Sequence, residues 1–244
     1  MVCAGENSMS IIENHETFLH QAQRLNAALT EAQFKQILGY GEQLEIVNRS
    51  LNLTRIPASE YLTMHVLDSL MLAAVIDLTA ANSLLDVGTG AGFPAAPLAI
   101  AFPHLEVNAL DARNKKLKFI SDTAAMLGIK NLTVQHARLE QLASHSRRTR
   151  YDVVCSRALA NYETLLAWQL PFVAPGGSAI LMKSTAQESE ISSKPPAGWT
   201  QTIHRLVLPK ITAETGIEKT EIEIKESKAA ELGIERLLVV LKKN

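Results

Sequence analysis

The stretch Leu84-Leu85-Asp86-Val87-Gly88-Thr89-Gly90-Ala91-Gly92-Phe93-Pro94 decides the fold. Apolar residues enter a short strand, Asp86 lies near its end, and glycines follow at alternate positions 88, 90 and 92. Pro94 suits the first turn of a helix, where its missing N–H costs nothing. Strand, glycine turn and helix together make a nucleotide cradle, because glycine lets the backbone approach a ligand closely and adopts conformations that a Cβ forbids. A dinucleotide fingerprint G-x-G-x-x-G begun at Gly88 would need glycine where Phe93 stands. Begun at Gly90, it would need glycine where Ala95 stands. No Gly-Lys-Ser/Thr follows, which excludes a Walker phosphate loop.

Outward from this turn, strands and helices alternate, as in a parallel sheet with crossover helices. Strands are expected at 83–87, 105–110, 132–135, 151–156 and 179–183. Two later β stretches, near 203–208 and 236–241, complete a seven-stranded, mostly parallel sheet. Helices are expected at 94–102, 114–127 and 161–172, with a loop over 184–198. Upstream, apolar spacing predicts helices over 11–29, from a Thr30/Gln33 capping box to about Arg49, and from Ser59 to about Asp77. The expected fold is thus α/β and Rossmann-like, in three parts: a loose tail at 1–10, a helical cap at 11–79 and a core at 80–244.

Composition narrows the class further. The 244 residues suit one large domain or one domain with a cap, and 47% hydrophobic residues can fill its core. No apolar run approaches the roughly 18 residues of a membrane span, and the first eight residues do not read as a signal peptide. Cys3 and Cys155 offer neither a disulfide framework nor a metal spacing, and the seven histidines show no ligand spacing. No metal and no membrane partner are expected, and a cytoplasmic location is. Net charge is −1, yet ten Lys/Arg stand against three acids from Arg113 to Arg157. Such a field suits one anionic surface contact or an ordinary solvated face. Its candidate RNA contacts are Lys115 and Lys116, outward on the 114–127 helix, and the loop arginines Arg147, Arg148 and Arg150.

An acidic residue followed by G-x-G-x-G is the pattern of class I S-adenosylmethionine methyltransferases. Asp111 closes the second strand, where a carboxylate can accept both hydroxyls of a ribose. Leu139 and Glu140, after the third strand, are placed to meet the adenine. Beyond these, separated stretches resemble the glucose-inhibited division B (RsmG) family: Asn52-Leu53-Thr54, His65-Val66-Leu67-Asp68-Ser69, the glycine stretch itself, Asp111 with Lys115-Lys116, Arg138-Leu139-Glu140, Ser156-Arg157-Ala158 and Lys183. The resemblance implies a methyltransferase that makes N7-methylguanosine at guanine 527 of 16S ribosomal RNA. It implies S-adenosylmethionine as cofactor, S-adenosylhomocysteine as product, and 16S RNA or a small-subunit assembly intermediate as partner. It also implies that Gly88, Phe93, Leu139, Glu140 and Arg157 line the cofactor pocket, to which the glycine turn itself adds Gly90 and the second strand Asp111, with His65, Arg138 and Lys183 near the transfer site. The chain departs from the family pattern at Ala95 and Ser184, where glycine is frequent. A monomer is expected.

Guanine N7 carries a lone pair and no proton, so it can attack a sulfonium methyl without a general base. Catalysis is then largely positional. Two alternatives stay open. One is cytosine-C5 methylation through Cys155 at the end of the fourth strand, although such enzymes normally have Pro where Val154 stands. The other is a non-catalytic S-adenosylmethionine-binding RNA-interaction protein. Read alone, Arg157 could instead form a structural pair with Asp152 or Glu140.

Overall fold

The computed structural model describes residues 6–139, 142, 149–157, 159–209 and 233–244, with the backbone alone for 6–14, 209 and 233. Seven strands form one sheet in the order β3-β2-β1-β4-β5-β7-β6. They are β1 (Ser83–Val87), β2 (Glu106–Asp111), β3 (Leu132–His136), β4 (Tyr151–Arg157), β5 (Val173–Ser184), β6 (Trp199–Pro209) and β7 (Gly233–Lys243). The first five run parallel, and β7 lies antiparallel between β5 and β6. The expected mostly parallel, seven-stranded sheet is therefore present, with longer last strands than apolar runs suggest. Strand pairing at the backbone extends past the buried side chains into polar residues such as Thr200 and Lys242, which pair across β6 and β7.

Both faces of the sheet are covered, because successive side chains of a strand point to opposite sides. Leu85, Val87 and Leu181 pack with Tyr162 and Leu165 of α7 (Tyr162–Gln169). Leu84, Cys155 and Ile180 join the other core, built with α5 (Ala95–Ala101), α6 (Asn114–Leu127) and the helices before β1. Helix α6 has its expected bounds, with Leu117, Ile120 and Ala124 inward and Gly128 in the left-handed conformation closing it.

The cap before the sheet differs in detail. Helix α1 spans Glu6–Arg24 rather than 11–29, so residues 6–10 are helical instead of a loose tail. It stops early because Asn26 turns left-handed, with φ 59°, and its side-chain amide donates to the Ala73 carbonyl. Helix α2 (Glu31–Leu51) starts at the expected capping box and ends at Asn52, again left-handed. The helix expected from Ser59 to Asp77 is a series of short pieces: a 3₁₀ turn at Ala58–Glu60, a π-helix at Tyr61–Leu67, α3 (Asp68–Leu70) and α4 (Leu72–Val75). Ser59 does not cap it; Pro57 precedes the first turn. Pro94 likewise stands just before α5 rather than inside its first turn, after a cis bond to Phe93.

Candidate active site

The parallel strands β1, β2 and β4 end on one edge of the sheet, and the site assembles there. Gly88, Gly90 and Gly92 all have positive φ, at 70°, 63° and 90°. A Cβ at Gly88 would stand 2.6 Å from a Leu159 methyl, and one at Gly92 would stand 2.2 Å from Tyr40 Oη. The turn is therefore closed on two sides: by the residues after β4, and by Tyr40 of α2, whose hydroxyl donates to the Ala91 carbonyl at 2.9 Å. Helix α2 comes this close because Gly39 and Gly41 flank Tyr40. A Cβ at Gly41 would meet the Tyr61 ring at 2.7 Å.

The Asp111 carboxylate faces the turn. One oxygen accepts from Gly90 N at 3.0 Å, the other from Arg113 N at 2.8 Å. A carboxylate offers about four lone-pair sites, so two remain for a ligand's hydroxyls. Asp86 turns to the opposite side and is fully buried. Its Oδ2 accepts from Ala95 N at 3.1 Å, which uses a donor at the start of α5. Burial pushes its pKa up to about 6, against hydrogen bonding and the attraction of Arg157. The departure at Ala95 costs nothing here, since only its N–H is used. Ser184 has an equally local explanation: its N and Oγ both lie 3.3 Å from Gln187 Oε1, at the start of the turn Thr185–Glu190.

Above the turn, pieces far apart in sequence converge. His65 stacks on Phe93, ring centroids 4.2 Å apart, and the Arg157 guanidinium lies over the same ring at 5.6 Å. Arg157 Nη2 is 3.1 Å from His65 Nδ1, and Thr54 Oγ1 is 2.9 Å from His65 Nε2. Arginine can only donate. His65 Nδ1 must therefore accept, which leaves the ring proton on Nε2, pointing at Thr54. Burial, helped by the Arg157 charge, lowers the His65 pKa to about 3, so the ring is neutral near pH 7. Arg157 also donates to Asp68 Oδ2 at 2.9 Å and to the Met64 carbonyl at 3.1 Å. Its ionic partner is thus Asp68. Asp152 is occupied elsewhere, accepting from the N–H groups of Asn82 and Ser83.

The remaining expected residues are distributed unevenly. Leu139 is buried in the α7-side core, while Arg138 beside it is exposed. Lys183 lies near the end of β5, but its ammonium is enclosed, donating to the Ala160 carbonyl at 2.5 Å and lying 3.3 Å from Glu190. It anchors the segment after β4. Glu140, Arg147 and Arg148 lie outside the described residues. Arg150 stands at the start of β4, on the edge of the sheet opposite the glycine turn, and donates to the Val173 carbonyl at 3.4 Å. The α6 lysines also divide. Lys116 Nζ comes within 3.8 Å of where a Gly90 Cβ would be, whereas Lys115 lines a groove of about 440 Å³ with Val47, Leu51 and Met126.

Sequence reasoning did not single out Tyr40, Leu159 or Arg236. The Gly39-Tyr40-Gly41 triplet was the available sign of a close helix approach. Cys155 sits mid-sheet, opposite Asp86 in the ladder. Burial and the Asp86 charge raise its pKa, so a thiolate is disfavoured and no face is open to a nucleobase. Among the described residues no three His, Cys, Asp or Glu are grouped to hold a metal, and no helix is long and apolar enough to cross a membrane.

The sheet order with its antiparallel β7, and a glycine turn faced by a strand-end carboxylate, define a Rossmann-like methyltransferase. A putative O-methyltransferase from Klebsiella pneumoniae shares this fold, with a TM-score of 0.52 at 13% identity over 88% of this chain and 90% of that one. The chain belongs to the GidB family, described as rRNA small subunit methyltransferase G, whose model matches residues 33–219. Relatives bearing the name ribosomal RNA small subunit methyltransferase G include one from Leuconostoc citreum strain KM20. It is 36% identical over 181 residues, 72% of this chain and 76% of its own length. Another, from Exiguobacterium sp., is 33% identical over 211 residues, 84% of this chain and 89% of its own.

Proposed function

We propose that the protein transfers a methyl group from S-adenosylmethionine to N7 of a guanine in 16S ribosomal RNA, with guanine 527 as the target implied by the family. The observation that carries the chemistry is the state of His65. Both its ring nitrogens are committed, to Arg157 and to Thr54, and it is neutral near pH 7. The titratable group nearest the Phe93 wall therefore has no lone pair free to take a proton. That suits an acceptor such as N7, which has none to lose.

The residues present fit the cofactor. The positive-φ turn at Gly88 and Gly90 provides a close backbone approach, and Asp111 keeps lone pairs for the ribose hydroxyls. Leu139 would form an apolar floor for the adenine, with Phe93 and Arg157 walling the far end. The cofactor supplies an electrophilic methyl on a sulfonium. The chain's part is to hold acceptor and donor in line, the effect that well-oriented sites contribute most. N7 lies on the major-groove edge, which is too deep and narrow in A-form RNA for side chains to read. The target base should accordingly be in a loop or extruded.

The test is to incubate the protein with S-adenosylmethionine carrying a labelled methyl and small-subunit RNA or particles, then identify the labelled nucleoside after digestion. N7-methylguanosine is expected. Label in 5-methylcytidine would replace this reading with the Cys155 mechanism, and binding without label with the non-catalytic one.

A further inference from the structure

Asp68 lies on α3, one residue past the π-helix, and only 1% of its side chain is exposed. Two arginines from two strands meet on it. Arg157 of β4 donates to Oδ2 at 2.9 Å. Arg236 of β7 places Nε 2.8 Å from Oδ1, an ion-pair distance without an aligned N–H···O hydrogen bond. A carboxylate so deeply buried is costly unless paired. Here the pairing also has a direction, because Arg157 has a second task. Its other nitrogen reaches His65 Nδ1, one turn before Asp68 on the same helical segment. Ser69 Oγ donates to the His65 carbonyl at 2.6 Å and fixes the backbone of that turn.

We propose that Asp68 is a positioning residue for the transfer site, which holds the Arg157 guanidinium where it donates to His65 and thereby locks the imidazole as its neutral Nε2–H tautomer against Phe93. The role of that wall in methyl transfer rests on the proposed function; the lock itself does not. The groups facing His65 are few. Arg157 comes from β4, Asp68 and Tyr61 from its own segment, and Phe93 from the turn after β1. Thr54 comes from the loop after α2, and Glu42 and Glu45 of α2 line the groove beside it. Among the described residues, the only cation in this set is Arg157, and the only carboxylate bonded to that cation is Asp68. Arg236 pairs with Asp68 rather than with His65, so it acts on the ring through Asp68 and ties the last strand to the site.

The experiment compares wild type with Asp68→Asn, Arg236→Gln and the double variant. The readouts are ¹⁵N chemical shifts of the His65 ring across pH, and kcat and KM for RNA methylation. Wild type should show the Nε2–H tautomer with no titration above about pH 5. In Asp68→Asn the ring should exchange between tautomers and titrate at least one pH unit higher. kcat should fall by about tenfold or more, within the range for small misplacement, and KM for RNA should stay within about twofold. Should Asp68→Asn leave two partly buried arginines without their carboxylate and fail to fold, the double variant removes one of them and reads the same shifts. Arg236→Gln alone keeps the Asp68–Arg157 bond and should keep the tautomer. An unchanged tautomer in a folded variant lacking Asp68 overturns the proposal, whatever happens to turnover. A changed tautomer in a protein that methylates some other acceptor would overturn the proposed function and leave the lock standing.

Discussion

Gly88 and Gly92 have the same left-handed backbone but different neighbours, and substitution should separate them. At Gly88 the obstacle is Leu159, which is 39% exposed and not fixed in the core. At Gly92 it is the buried Tyr40 hydroxyl. Gly88→Val should therefore leave a folded protein with S-adenosylmethionine affinity reduced at least about tenfold, because a branched side chain resists positive φ and fills the ligand's approach. Calorimetric titration checks it, and wild-type affinity would remove Gly88 from the site. Cys155 offers the opposite test. It is enclosed and kept as a thiol, so Cys155→Ala should cost about 1 kcal/mol of stability while methyl transfer stays within about twofold, since no covalent adduct is needed. A folded Cys155→Ala protein without activity would restore the cytosine mechanism.

Among the elements, α6 carries the lysines that sequence alone offered as RNA contacts. Its helical geometry fans Lys115, Lys116 and Lys118 around the outer face. Lys118 pairs with Asp122 at 2.8 Å, Lys115 is exposed on the groove beside α2, and Lys116 leans over the glycine turn. Lys115→Glu should weaken RNA binding and flatten its salt dependence, with S-adenosylmethionine affinity unchanged. Lys116→Glu should change both affinities. Equal effects of the two on both ligands, measured at two salt concentrations, would show that the division is not functional. The boundaries of α2 and α6 and the strand succession were legible because each is written locally, as a capping box, an apolar stripe or a glycine stop. The break-up of 58–75 was not. It goes with His65 and Asp68 meeting Arg157 of β4 and Arg236 of β7, far along the chain, which periodicity does not register. For the same reason the sequence offered Asp152 or Glu140 as a structural partner for Arg157, and not the Asp68 that it meets.

For the whole molecule, two buried titratable groups near the site pull stability in opposite directions as pH changes. His65 has its pKa lowered to about 3 against 6.5 in the unfolded chain. Between those values the unfolded state binds more protons, so its contribution is present above the unfolded pKa and is lost as pH falls. Asp86 is the reverse, raised from 3.8 to about 6. In that window the folded state binds more protons, so its contribution is full below 3.8 and is lost as pH rises. From about pH 4 to pH 6 the two slopes largely cancel. Asp86→Asn keeps an oxygen for the Ala95 N–H and removes one slope, leaving that of His65 unopposed. The difference in stability between variant and wild type, by urea denaturation at pH 4.5, 5.5 and 6.5, should then move in the variant's favour as pH rises. Its slope should approach about 1.4 kcal/mol per pH unit below pH 6 and flatten above. A difference independent of pH would mean that Asp86 is ionised throughout the window, despite its burial opposite Cys155.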